Sequence, residues 1–380
     1  MPRIALVQFS PLSPSPSLSS PPSSSSSPPP SSTPKDPASF DLNLQRAHAF
    51  VRQAALQGAE LVVFPEYFLS GVVDHPSTWH LAQLPHSHAH LHPSSSRSQD
   101  HSAPASSPPT AQHWLSTFRS LAKELRVDIV VGTIVERAHD AEGKERWKEV
   151  EVVDEKTGEK KAERRPVLEN VCHYVDWDGE VVGRYVKRNL WWPEKEYLTA
   201  GSEDHQVFNT RFGRVGLLIC WDLASPLSLP SLLLHPQGAP DLIVAPTYWT
   251  ALDAGPRGLQ HNPESEKEYL DCLVKARAWE GECAMVFCNV APPASWQPSD
   301  GLLGNEEGRI GLSQVCVPFK GRVGGAKGPQ EELVLVDLDL SILEDARATY
   351  GVRRDLVEEK LHPERGRGEV LPGWVRKGGE

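Results

Sequence analysis

Residues 213–226 read GRVGLLICWDLASP. Val215–Ile219 is an apolar run of strand length, and a cysteine, a tryptophan and an aspartate follow at once. A short run without polar alternation suits a strand covered on both faces. A thiol at its end then sits on a rigid support, at the rim of whatever covers it. The layout recurs twice upstream. ELVVFPEYFLSG (60–71) has an apolar run that stops at Pro65 and Glu66, and VGRYVKRNLWWPEKEYLTAG (182–201) has one that stops at Lys187. In layered α/β proteins ligands bind beyond strand ends, so three such groups can converge although far apart in sequence.

Outward from these segments the chain alternates between two periods. Phe40, Leu44, Ala47, Val51 and Ala54 fall at helical spacing with Gly58 as C-cap, and Trp114, Phe118, Leu121 and Leu125 do the same. Strand-like runs are RIALVQF (3–9), LVVF (61–64), DIVVGTIV (128–135), VGLLIC (215–220), DLIVAP (241–246), AMVFCNVA (284–291), GLSQVCVP (311–318) and ELVLVDLD (332–339). NVCHYVDW and EVVGRYV, joined at Asp178–Gly179, read as a hairpin. The charged stretch 139–166 reads as a surface excursion turning near Lys156–Gly158. Helical segments near 225–235 and 265–282 separate later strands. Strands alternating with helices, plus hairpins, specify an α/β layered fold with mixed sheets.

Two stretches break the pattern. Residues of about 11–39 and 85–110 are dominated by serine and proline, cannot bury enough apolar surface to offset ordering entropy, and are expected to stay disordered. The second contains HSHAHLH, but a tract without nearby Cys, Asp or Glu at ligand spacing supports no defined metal geometry. One domain over 1–361 carrying these insertions, followed by a charged, glycine-rich tail at 362–380, is the expected organisation.

A formal charge of −11 disfavours general nucleic-acid binding, which depends on Lys and Arg neutralising phosphates. No stretch has the roughly 18 apolar residues that span a bilayer. Six scattered cysteines in 380 residues do not form a disulfide framework, and MPRIALVQFS lacks a basic region and a cleavage site. A cytoplasmic location is the expectation.

Singly, a Glu after a Pro is usually a solvated loop residue, a Lys at a strand end a surface charge, and a Cys in an apolar run core. Together they are a chemically complete set. A thiol attacks as thiolate and needs a base or a nearby cation. A carboxylate can take that proton and return it to a leaving amine. An ammonium and a backbone N–H, here Lys187 and that of Trp221, can hold a tetrahedral oxyanion. No histidine and no metal is required.

These segments resemble the nitrilase, or carbon–nitrogen hydrolase, superfamily, collinearly along nearly all of the chain outside the insertions. ELVVFPEYFLSG is similar to its glutamate motif, VGRYVKRNLWWPEKEYLTAG to its lysine motif and GRVGLLICWDLASP to its cysteine motif. GAPDLIVAPTYW, VKARAWEGECAMVFCNVA and GLSQVCVPFKG fit the segments that follow. The resemblance implies a four-layer αββα sandwich, a homodimer as one assembly, and cofactor-free hydrolysis of a small amide or nitrile. It assigns Cys220 as nucleophile, Glu66 as general base and Lys187 as oxyanion donor. A second glutamate of the family corresponds to Glu194, seven residues before Gly201, or alternatively to Glu196, five before it; Glu194 is preferred. Trp191, Trp192, Tyr248 and Trp249 are candidate pocket residues beside core-filling as the alternative role. Asp222 is read as hydrogen-bonding the nucleophile turn, with a local cap as the alternative, and Arg277 with Glu280 as a structural pair. WDLASPLSLPSLL departs from the family pattern by lacking the Glu that often follows the cysteine. The functional alternatives are a true nitrilase, an acyl transfer to an amine, and a non-catalytic scaffold.

Overall fold

Alternation along each apolar run decides which neighbour its two faces meet. In the computed structural model, which describes residues 1–12, 37–83, 113–153, 158–297, 299, 301, 303 and 308–361, β1 (Arg3–Gln8) turns Ile4 and Leu6 to one core and Ala5 and Val7 to another. The second core is completed by α1 (Pro37–Leu56), through Ala47, Val51 and Ala54, and by α2 (His113–Leu125), through Trp114, Phe118 and Leu121. Gly58 ends the first helical segment at φ 79°, as its lack of a side chain permits.

The same division runs through β2 (Leu61–Val63) and β3 (Asp128–Arg137): Leu61, Val63 and Val130 face inward, whereas Val62, Ile129 and Val131 face the helices. Next come the charged hairpin β4 (Trp147–Val153) with β5 (Lys160–Pro166), and the hairpin β6 (Leu168–Val175) with β7 (Val181–Val186). β8 (Val207–Thr210) and β9 (Gly213–Leu217) open a second sheet, followed by α3 (Ser228–Leu233) and β10 (Leu242–Thr247). The chain continues through α4 (Gly255–His261), α5 (Ser265–Gly281), β11 (Ala284–Asn289), β12 (Gln314–Val317) and β13 (Gly321–Gly325). It then crosses back to the first sheet as β14 (Glu332–Asp337), and α6 (Ile342–Thr349) and α7 (Val352–Leu361) follow.

The sheets run β14-β1-β2-β3-β6-β7 and β13-β12-β11-β10-β9-β8. Their inner faces share one core in which Ile4 and Leu6 join Val215, Leu217 and Val286, and Leu270 and Val274 of α5 belong to it as well. The result is helices, sheet, sheet, helices: the four-layer mixed α/β sandwich expected from the motifs.

The two sheets repeat one pattern of directions. In the first, β14 is antiparallel to β1, β1, β2 and β3 are parallel, and β6 and β7 are antiparallel. In the second, β8 is antiparallel to β9, β9, β10 and β11 are parallel, and β12 and β13 are antiparallel. The equivalent strands β2 and β10 end alike, in LVVFPEY (61–67) and LIVAPTY (242–248), and the ends touch: the Glu66 N–H donates to the Thr247 carbonyl at 3.3 Å. Gly132 in β3 lets this turn lie close. It sits at φ 44° in a register shift, and a Cβ there would collide with the Pro65 carbonyl.

Several strands are shorter than the sequence predicts, among them the one that leads to the cysteine. VGLLIC does not continue to its cysteine, because β9 stops at Leu217 and Cys220 begins a short 3-10 turn, Cys220–Leu223. β8 and β13, with one apolar-rich half at most, carry no clear period and are not evident from sequence. Residues 37–39, expected to be disordered, instead form the first turn of α1; the remaining Ser/Pro-rich stretches at 13–36 and 84–112, HSHAHLH, Lys156 and the 362–380 tail lie outside the described residues. Among the described residues no helix is long and apolar enough to cross a membrane.

Candidate active site

Four strand ends deliver the polar groups to one place. Glu66 follows β2 through Pro65, Lys187 follows β7, Cys220 follows β9 and Tyr248 follows β10. Alternation in β6 puts Asn170 on the same face as Cys172 and Tyr174, inward, and the Lys187 N–H pairs with the Asn170 carbonyl at 2.9 Å. Lys187 is therefore carried onto that inner face beside Asn170. All the charged groups are buried: Glu66 and Lys187 are 1% exposed, Glu194 5% and Cys220 6%.

Lys187 is the hub. Its Nζ donates to Glu66 Oε1 at 2.9 Å and to Glu194 Oε1 at 2.8 Å, and Glu194 Oε2 lies 2.7 Å away. Glu66 Oε1 also accepts from Asn170 Nδ2 at 2.7 Å, and Oε2 accepts from the Tyr248 N–H at 2.8 Å. Glu194 is held in turn by the Tyr67 hydroxyl at 2.6 Å and the Trp191 N–H at 2.8 Å. Every carboxylate oxygen in the cluster has a donor, as burial of charge demands.

One ammonium shared by two carboxylates leaves a net negative charge underground, and the titration behaviour follows. Burial pushes Glu66 up to about 7, with Lys187 pulling down and the Glu194 charge pushing further up. For Lys187, burial opposes the charge, but Glu194 and Glu66 outweigh it and hold the amine protonated well above its usual range. Burial first, then the Glu66 carboxylate, pushes the Cys220 thiol up, against Lys187. Burial and the Glu66 charge thus favour the protonated form of the sulfur.

The thiol is presented by a strained turn. Cys220 has φ 47° and Tyr67, after Glu66, has φ 56°, both in the left-handed region that side chains other than glycine rarely occupy. Asp222 fastens the turn. Its Oδ2 accepts from the Ile219 N–H at 3.0 Å and the Tyr185 hydroxyl at 2.8 Å, and its Oδ1 from the Asn189 N–H at 2.9 Å. Asp222 thus caps the cysteine turn and ties it to the loop after Lys187. Cys220 Sγ points towards the Tyr248 carbonyl at 3.7 Å. Trp221 follows Cys220 in the first positions of this turn, where backbone N–H groups lack intrahelical acceptors. Arg277 and Glu280 pair at 2.6 Å, and Arg277 Nε donates to the Leu223 carbonyl at the end of the turn.

Glu66, Lys187, Glu194 and Cys220 line one cavity of about 560 Å³, together with Tyr67, Trp191, Tyr197, Trp221, Tyr248 and Trp249. Two sequence candidates do not reach it. Trp192 is 72% exposed, because the turn Pro193–Glu196 that points Glu194 inward sends its neighbour out. Glu196 is exposed for the same reason, and Glu194 is the residue beside Lys187. Sequence reasoning misses Asn170, Tyr67 and Asn189. A lone Asn among apolar strand residues is a usable signal for Asn170, since a buried amide must find partners.

The chain matches the carbon–nitrogen hydrolase family over residues 3–348 and belongs to that family. Its relatives include amidase-type and nitrilase-type proteins. It is 32% identical over 131 residues to a probable nitrilase of Schizosaccharomyces pombe, an alignment covering 34% of this chain and 42% of that protein. It is 27% identical over 201 residues to an N-carbamoylputrescine amidase of Arabidopsis thaliana, covering 49% and 62%. The chain thus spans about half the length of these curated relatives. The fold is also that of a carbon–nitrogen hydrolase from Helicobacter pylori, with TM-score 0.63, 16% identity, and 93% and 94% of the two chains covered.

Proposed function

We propose that the protein hydrolyses a carbon–nitrogen bond of a small amide through a thioester on Cys220. The observation that carries this reading is the Lys187 ammonium clamped between two buried carboxylates on the floor of a cavity that also holds a thiol. Glu66 takes the Cys220 proton as sulfur attacks the carbonyl carbon. The C–S bond forms, and the carbonyl electrons move onto oxygen, held by Lys187 and the Trp221 N–H. As the C–N bond breaks, Glu66 returns the proton to nitrogen, and ammonia or an amine leaves. Water then gives a proton to Glu66 and attacks the thioester; the C–S bond breaks, and sulfur recovers the proton. Glu194 keeps Lys187 in place and keeps Glu66 basic enough near neutral pH for this exchange.

A nitrile reading uses the same groups with nitrogen in place of the carbonyl oxygen, and the name of the yeast relative supports it. Ammonia release from a panel of amides, nitriles and carbamoyl compounds, with Cys220→Ala as blank, separates the two. Release from amides that disappears in Cys220→Ala is expected; release from nitriles alone selects the second reading. Equal release by wild type and Cys220→Ala rejects both.

A further inference from the structure

The floor of the cavity is neutralised as far as Lys187 allows, but its mouth is not. Asp74, on the loop after the glutamate motif, and Asp253, in the turn Ala251–Ala254, line the same cavity above the buried groups. Asp74 is exposed and Asp253 half-buried. Among the described residues lining the cavity, Lys187 is the one cation, and it is committed to Glu66 and Glu194. Asp253 accepts only from the N–H and hydroxyl of Thr250, and neither aspartate has an ion-pair partner among the described residues.

The remaining wall is built for the same charge. Trp191, Trp221 and Trp249 form a continuous aromatic run, with ring centroids 4.4 Å and 5.4 Å apart. Aromatic faces attract cations. Behind Trp249, Glu266 accepts its indole N–H at 2.7 Å, which fixes the ring and adds a further carboxylate. Among the lining residues, an anionic group near Asp74 and Asp253 would face like charge, with Lys187 already committed to Glu66 and Glu194.

We propose that the substrate is a cationic amide, whose scissile bond reaches Cys220 while its ammonium or guanidinium group sits at the mouth between Asp74, Asp253 and the half-buried Trp191 and Trp221, which the buried Trp249 backs. This rests on the hydrolase reading for the word amide, but the charge preference is testable without turnover.

Three methanethiosulfonates of similar size carry an aminoethyl, an ethyl or a sulfonatoethyl group. Their modification rates at Cys220, mapped by peptide mass spectrometry, are divided by those at the exposed Cys272 of the same molecule, which feels the same overall protein charge. The cation-to-anion ratio is expected to be on the order of tenfold larger at Cys220, as one or two carboxylates a few Å away imply. It should fall severalfold in Asp74→Asn and further when Asp253→Asn is added. Equal ratios at the two cysteines, or a ratio untouched by both substitutions, overturn the proposal. Asp74 is a surface residue, so its variant keeps the test open should Asp253→Asn disturb its turn.

Turnover provides the second arm, with δ-aminovaleramide, hexanamide and adipamic acid as cationic, neutral and anionic amides of one length. A kcat/KM about tenfold higher for the amine than for hexanamide, lost through KM in Asp74→Asn, supports the proposal. Equal hydrolysis of all three overturns it and leaves the hydrolase standing. A cation preference at Cys220 with no amide hydrolysed above the Cys220→Ala blank keeps the cation site and rejects the hydrolase.

Discussion

Two clusters of buried charge sit back to back on β6 and β7, and their carboxylates titrate in opposite directions. On the inner face, Asn170 and Lys187 meet Glu66, which is pushed up to about 7. On the outer face, His173 and Arg184 meet Glu136 of β3. His173 Nε2 lies 2.6 Å from Glu136 Oε1, and Arg184 Nη2 donates to Oε2 at 2.9 Å. Burial alone would raise Glu136 too, but His173 and Arg184 outweigh it and hold the carboxyl down at about 2. Both carboxylates are at most 1% exposed. Burial therefore does not by itself make a base; the groups that face the carboxylate decide which way it titrates. Glu136 is faced by both His173 and Arg184, the latter also 3.6 Å from Glu169, whereas Glu66 has the single ammonium of Lys187, which it shares with Glu194.

The comparison breaks most visibly at Glu66 itself. Glu66→Gln should lower turnover by about 10²–10⁴ by removing the proton carrier. Because the base must be unprotonated to work, wild-type kcat/KM should fall as pH drops through about 7, and this limb should vanish in the variant. Glu136→Gln should do the converse. A carboxyl held at about 2 instead of its ordinary 4.5 contributes about 3 kcal/mol of stability. That stability is fully present above pH 4.5 and is lost as pH falls towards 2. Denaturant midpoints should fall in Glu136→Gln at neutral pH while the limb near pH 7 stays. Glu194→Gln tests the shared ammonium: with one negative charge removed, Glu66 becomes a stronger acid, and the limb should move to lower pH by about one unit, or 1.4 kcal/mol. The smallest effect belongs to Glu196→Gln, which is exposed and should change neither the limb nor kcat/KM beyond about 0.5 kcal/mol. A limb moved by Glu196→Gln and not by Glu194→Gln would exchange their roles.

Much of this site is legible in the amino-acid sequence because its reactive groups stand where apolar runs stop. ELVVFP, VGRYV and VGLLI read as strands, and a polar residue at the end of a strand has few places to go except the rim of a sandwich. The layered α/β architecture follows from the same alternation. What sequence does not contain is the pairing of distant partners. Asn170 lies on Glu66 only because β3 and β6 pair antiparallel, and Tyr67 reaches Glu194 across a gap of 127 residues. Loop direction is equally hidden, which is why Trp191 and Trp192 look alike in sequence although the turn after them buries one side chain more than the other. The mouth aspartates give no signal, since Asp74 and Asp253 belong to turns whose paths depend on the finished sandwich.

In the proposed reaction Glu66 activates Cys220, a thiol that burial alone would silence. Labelling of all six cysteines with iodoacetamide, mapped by mass spectrometry across pH in wild type and Glu66→Gln, tests it most directly. Cys220 is expected to react faster than the exposed Cys272, to lose that advantage as pH falls through about 7, and to lose it at every pH in Glu66→Gln. Labelling that simply follows exposure, with Cys272 first and Cys220 as slow as the buried Cys172, Cys283, Cys288 and Cys316, would contradict it.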